Sequence, residues 1–184
     1  MKYENAYRAL ECRGYLPVGE SLWTAADGEY GLWCRSDGGR RLLVVFGQAS
    51  DFEGLRQAEG GDMWLECPLT HENLSALQQR FPELKPVSLD GHDVTMGLGD
   101  RLGLVSGAHI AALSGTGVFP VLAQQSKREL TLTGRSYRQM LDDVAWQVFE
   151  ADYHGGYAAD GDHLKTLEEV QAAVQDGATM ITLD

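Results

Sequence analysis

The sequence predicts an α/β protein, with a small N-terminal α+β domain over residues 1–90 and βα units of a parallel sheet over residues 91–184. Three observations carry that reading. Two β-rich runs, Ser21–Thr24 and Tyr30–Arg35, flank the turn dipeptide Asp27-Gly28, which is the pattern of a hairpin. After the break signalled by Pro86-Val87-Ser88-Leu89-Asp90-Gly91, strand and helix signals alternate. The last six residues, Thr179–Asp184, read as a strand with no covering helix after it. A chain cut short inside a larger βα architecture is therefore expected, whether as an expressed piece, a split gene or a naturally short relative.

In the first domain, Asn5–Cys12 predicts a helix with Ala6, Ala9 and Leu10 on one face, stopped by Gly14 and Pro17. Arg41–Phe46 predicts a central strand, because Leu42-Leu43-Val44-Val45-Phe46 is continuously apolar. Asp51–Glu59 predicts a weak helix and Asp62–Cys67 a short strand. Pro68 and Thr70 open a helix over His71–Phe81, with Leu74, Leu77, Gln78 and Phe81 on one face, and Pro82 and Pro86 close it.

In the second domain, Arg101–Ser106 predicts the first strand, His109–Leu113 a short helix and Val118–Ala123 the second strand. Ser136–Glu150 predicts a long helix, capped by Ser136 and Gln139, with Met140, Leu141, Val144, Ala145, Val148 and Phe149 on one face. Tyr157–Asp160 predicts the third strand. Its helix, Thr166–Asp176, opens with the capping-box pair Thr166 and Glu169 and stops at Gly177.

The net charge of −12 argues against a nucleic-acid backbone or an acidic membrane surface as partner, since no basic stripe exists to neutralise either. No run reaches the roughly 20 apolar residues of a membrane span, and no signal-peptide core is visible at Met1–Tyr7. A cytoplasmic location is expected. Cys12, Cys34 and Cys67 show no CxxC spacing and are expected as buried free thiols rather than zinc or redox ligands.

Gly97-Leu98-Gly99-Asp100-Arg101-Leu102-Gly103 departs from a dinucleotide loop in the place of its third glycine, and it precedes the expected strand instead of following it. It reads as a tight entry into that strand. Gln124-Gln125-Ser126-Lys127-Arg128-Glu129 reads as a solvated loop after the second strand. On the catalytic face of a barrel the same loop would offer Gln124, Gln125 and Ser126 to sugar hydroxyls and Lys127 and Arg128 to a carboxylate or phosphate. His71, His92 and His109 read as surface or helix-start residues and His154 as structural.

The densest chemistry lies in Asp160-Gly161-Asp162-His163-Leu164-Lys165, where a strand runs out toward a helix. Neighbouring side chains there point different ways, so one of Asp162 and His163 could hold a metal while the other moves a proton. A catalytic divalent site normally needs about three protein ligands, and one is visible.

Several stretches in the right order resemble the tagaturonate epimerase family, whose members interconvert tagaturonate and fructuronate in hexuronate catabolism. They are Gly97–Leu104, Pro120–Ser126, Ala159–Thr166 and Thr179–Asp184. Residues 1–90 resemble the family only loosely. The resemblance implies a metal-dependent (β/α)8 TIM-type barrel, of which residues 91–184 would be the first βα units, since a whole barrel takes about 250 residues. It also implies Asp162 as proton acceptor and His163 as ligand of a divalent ion, zinc or manganese. The remaining ligands and an acidic proton donor would lie outside this chain, which alone is expected to be inactive. The substrate would be a keto-hexuronate sugar acid, with Gln124, Gln125, Lys165 and Asp184 as candidate contacts. Because the two sugars differ at a carbon β to the ketone, retro-aldol cleavage and re-addition is favoured over α-proton abstraction. The alternatives are another metal-dependent sugar isomerase or aldolase on the same barrel, or a non-catalytic piece acting through a partner, as a homo-oligomer or with a complementing chain.

Overall fold

A computed structural model describes residues 2–184, which form two compact units. One unit runs up to Phe81 and takes in Glu150–Asp152; the other comprises Pro82–Phe149 and Tyr153–Asp184.

The first unit begins with α1 (Glu4–Cys12), followed by β1 (Tyr15–Ala25), β2 (Gly28–Arg35), β3 (Arg41–Gly47), β4 (Leu55–Glu59), β5 (Asp62–Cys67) and α2 (His71–Arg80). The strands make an antiparallel sheet in the order β1-β2-β3-β5-β4. Leu42 to Phe46 are fully buried in the central strand β3, which explains their unbroken apolar run. Alternate residues serve opposite faces. Leu42, Val44 and Phe46 share a cluster with Ala6, Ala9 and Leu10 of α1 and with Trp33 and Trp64. Across the sheet, Phe81 beyond α2 meets Trp23 and Tyr30 edge-on at 5.1 and 5.5 Å.

Three local expectations fail here. Pro17 stops no helix; it lies inside edge strand β1, beside a register shift between Pro17 and Leu22, where a missing N–H is tolerated. The first hairpin turns at Ala26-Asp27, one residue early, because Gly28 must pair in β2, where a Cβ would sit 2.1 Å from the Phe46 carbonyl oxygen. The weak helix over Asp51–Glu59 is replaced by strand β4. Gly60 and Gly61, at φ +58° and +93°, close a two-residue turn that pairs Glu59 with Asp62, and this hairpin overrides the helix-forming residues before it.

The second unit contains β6 (Thr95–Gly97), α3 (Ser106–Leu113), β7 (Phe119–Ser126), α4 (Lys127–Thr133), α5 (Tyr137–Glu150), β8 (Ala158–Leu164), α6 (Leu167–Asp176) and β9 (Met180–Leu183). All four strands are parallel, in the sequential order β6-β7-β8-β9, and the sheet curls as half of a barrel. Gly161 of β8 faces the helix layer, and a Cβ there would meet Ala173 of α6 at 3.1 Å. On the other face Phe119, Val121 and Ala158 pack with Leu89 and Met180. His92 is exposed, as expected, and its ring stacks on Phe119 with centroids 3.6 Å apart.

The first strand of this sheet is Thr95–Gly97, not Arg101–Ser106. Its three residues are exposed and too short to carry a pattern, whereas residues 100–105 are bent into a turn by Asp100. The glycine-rich stretch therefore follows a strand instead of preceding one. Gln124–Glu129 is not a loop either: β7 continues to Ser126, whose hydroxyl accepts from the Glu129 N–H and starts α4. The third strand likewise runs on through Asp162 and His163 to Leu164.

The capping box of α6 is formed as expected, with Thr166 accepting from the Glu169 N–H while the Glu169 carboxylate accepts from the Thr166 N–H. Replacing Thr166 with Ala should cost about 1 kcal/mol, read as a small loss of unfolding free energy in urea. No change, or a gain, would contradict the cap. Of the cysteines, only Cys67 is buried, its thiol pushed up to about 12 by burial and then by Glu66; Cys34 is half-buried and Cys12 exposed. Among the described residues no helix is long and apolar enough to cross a membrane.

Candidate active site at the strand ends

Parallel βα units bring the carboxyl ends of their strands to one side, so the residues that end or follow β6, β7, β8 and β9 lie on that side. At the end of β8, His163 adopts φ +56°, a left-handed conformation costly for a residue with a Cβ. That twist breaks the strand alternation and leaves the imidazole exposed. Its Nδ1 lies 3.7 Å from Asp162 Oδ1, an electrostatic contact longer than a hydrogen bond. Burial raises the Asp162 carboxyl above its ordinary range; the imidazole pulls it down, while Asp160 and Glu129 push it further up. A carboxylate raised in this way is a better proton acceptor.

Beside this pair opens a cavity of about 850 Å³, lined among others by Arg101, Lys127, Arg128, His163, Lys165 and Asp184. Arg101 pairs with Glu129 at 2.5 Å. Lys165 and Asp184 pair with each other at 2.6 Å, which raises the amine and lowers the carboxyl. Lys127 and Arg128 form no ion pair among the described residues.

The loop carrying Arg101 is fixed from both sides. The Asp100 carboxylate accepts from the N–H groups of Leu102, Gly103 and Val105. Arg135 donates to the carbonyls of Asp100 and Arg101 and to Gln125 Oε1, and reaches Asp143 at 2.5 Å. Gly103, at φ +70°, lets these groups close in, since a Cβ would meet Arg135 Nη2 and Asp143 Oδ2 at 2.7 Å.

The two glutamines turn opposite ways. Gln125 faces the helix layer beside Tyr137, Leu164 and Ala173, with Nε2 buried and unpartnered. Gln124 lies on the other face and donates from Nε2 to Asp160 Oδ2 at 3.2 Å. Thr182 of β9 donates to the same oxygen at 2.8 Å. Asp160 is fully buried, and its Oδ1 has no hydrogen-bond partner. The structure thus brings Asp162, His163, Lys165 and Asp184 to one rim, sets Gln124 on a layer with Asp160, and turns Gln125 away. Asp160 is the residue to which sequence reasoning gave no role. The signal was present, because strand alternation puts Asp160 and Asp162 on one face.

Among the described residues no three His, Cys, Asp or Glu side chains group to hold a metal ion. The exposed imidazole of His163 suits a single ligand position.

A family model described as tagaturonate epimerase matches residues 23–184. The Thermotoga maritima tagaturonate/fructuronate epimerase is 44% identical over 148 residues, covering 78% of this chain and 30% of the relative. The native crystal structure of the Cohnella laeviribosi fructuronate-tagaturonate epimerase matches all of this chain and 37% of its own, with a TM-score of 0.87 and 36% identity. A glycerol complex of the same enzyme gives a TM-score of 0.86. The chain therefore spans about a third of the length of the relatives it matches. With the family model matching most of its length and both units aligning to a solved member, the chain belongs to the tagaturonate epimerase family.

Proposed function

We propose that this chain supplies the first strands of a (β/α)8 barrel and part of the active site of a metal-dependent enzyme that epimerises tagaturonate and fructuronate. The observation that carries the reading is the Asp162–His163 pair at the carboxyl end of a parallel strand, with a raised carboxyl and an exposed imidazole beside an open cavity. In a barrel that position faces the substrate. The other strands, the other metal ligands and an acid would come from the part of the family fold that this chain does not span.

The substrate is an anion, and Lys127 and Arg128, which line the cavity and form no ion pair among the described residues, suit its carboxylate. His163 would be one ligand of the divalent ion, which when bound supplies Lewis-acid stabilisation of charge on the ketone oxygen. Asp162 takes the proton from the hydroxyl on the carbon β to the ketone. The bond between that carbon and its α neighbour breaks, its electron pair passing toward the ketone. The carbonyl so formed turns its other face, the bond re-forms, and Asp162 returns the proton to the new hydroxyl. No atom is gained or lost.

The test joins this chain, in place of the matching segment, to the remainder of the Thermotoga maritima epimerase. The joined protein should interconvert the two sugars when supplied with zinc or manganese, and fragments of carbon-carbon cleavage should be trappable during turnover. A folded joined protein with no epimerisation would overturn the assignment. Solvent deuterium appearing at the α carbon without trapped fragments would overturn the cleavage route.

A further inference from the structure

We infer that Asp160 is a positioning residue that presets the Gln124 amide as an acceptor for a substrate hydroxyl; this rests on the epimerase reading for its substrate, but not for its geometry. The Gln124 nitrogen faces Asp160 Oδ2 at 3.2 Å and donates to it. The amide oxygen is then fixed on the opposite side. It lies across Gly97 at the end of β6, where a Cβ would come within 2.1 Å of Oε1. Gly97 is exposed and Gln124 half-buried, and the register of β7 on β8 sets this amide one layer beneath Asp162. Polyhydroxylated sugar acids present donors, and an amide whose nitrogen is held by Asp160 leaves its oxygen to accept from a hydroxyl and not to pair with a ketone oxygen.

The second observation is the cost of this arrangement. Asp160 is fully buried, both of its donors fall on Oδ2, and Oδ1 is unpartnered. A carboxylate kept only for stability would have both oxygens satisfied. An unsatisfied buried oxygen costs stability, so a role beyond packing is the explanation inferred for it.

Asp160→Asn tests this, because Asn has the same shape but can face Gln124 with either its oxygen or its nitrogen, so the amide is no longer forced. The first readout uses the 184-residue chain: the Gln124 side-chain NH2 signals in a nitrogen-15 correlation spectrum, identified by their loss in Gln124→Ala. In the wild type one of the two protons should be shifted downfield by the carboxylate, and in Asp160→Asn that shift should collapse. The second readout is turnover of the joined protein. Asp160→Asn should unfold at a similar or higher temperature while kcat/KM falls about 10- to 100-fold. The double variant with Gln124→Ala should be no worse than Gln124→Ala alone.

Gly97→Ala offers an independent route. The group in its way is the end of a flexible side chain, so the fold should survive while the amide moves and kcat/KM falls by a similar factor. An unshifted Gln124 signal in the wild type, full turnover in Asp160→Asn or additive losses in the double variant would each overturn the inference. A wild-type joined protein inactive on both sugars would overturn the epimerase reading instead, and the amide signal would then decide the Asp160 orientation by itself.

Discussion

Replacing Asp162 with Asn should lower turnover of the joined enzyme by about 10²- to 10⁴-fold, the usual contribution of a positioned general base. KM should change little, because the loss is in proton transfer rather than in uniform binding. The expectation rests on where β8 ends. His163 takes a left-handed conformation, so Asp162 and the imidazole are held 3.7 Å apart at the rim without a mutual hydrogen bond that would block either. Asp162 is only partly exposed, and Asp160 and Glu129 add negative potential around it. Asn keeps the shape and removes the basicity. Steady-state kinetics with either sugar checks this, and turnover within about threefold of wild type would assign the base elsewhere.

Replacing Arg80 with Ala should destabilise the first unit by roughly 2–4 kcal/mol, measured by chemical unfolding. Arg80, at the end of α2, is mostly buried. Its guanidinium donates to Asp27, Tyr30, Asp51 and the Ala76 carbonyl, and lies 4.7 Å from the centre of the Phe52 ring. Removing it strips several acceptors at once, which is why the cost exceeds that of an exposed pair. The same cluster sets a pH dependence. Burial works to raise the Asp27 carboxyl, but the Tyr30 hydroxyl and Arg80 outweigh it and hold it below the ordinary range; Arg80 and Ser50 lower Asp51. Burial and then Asp27 push the Tyr30 hydroxyl up to about 12. A carboxyl lowered in the folded state stabilises above its unfolded pKa, near 4, and that stability fades as pH falls through the folded value. The wild type should therefore lose more stability than Arg80→Ala between about pH 5 and 2. Parallel curves would show that the cluster carries no such linkage.

Much of this fold was legible because period and punctuation agreed. The continuous run Leu42 to Phe46 marked a strand covered on both faces, and Thr166 with Glu169 and Gly177 marked both ends of α6. Where local preference and tertiary pairing conflicted, the sequence misled. Leu55-Arg56-Gln57-Ala58-Glu59 contains good helix formers, yet Gly60-Gly61 folds it onto β5. Thr95–Gly97 is too short to show alternation, so the nearby Leu102, Leu104 and Val105 drew the strand to the wrong place. The Asp162–His163 pair was visible as residue types, but its geometry was not. A positive φ at a histidine has no sequence signature, and which way Gln124 and Gln125 point depends on where β7 begins and on its register shift between Val121 and Ala123.

In the proposed function His163 is one ligand of a divalent ion whose other ligands come from the part of the family fold that this chain does not span. The most direct measurement is metal content after dialysis against zinc or manganese, for the 184-residue chain, for the joined protein and for its His163→Ala variant. The account predicts almost no tightly bound ion on the chain alone, about one per joined protein, and loss of that ion in His163→Ala with the fold intact. A full equivalent on the 184-residue chain, or a His163→Ala protein that keeps its ion, would contradict it.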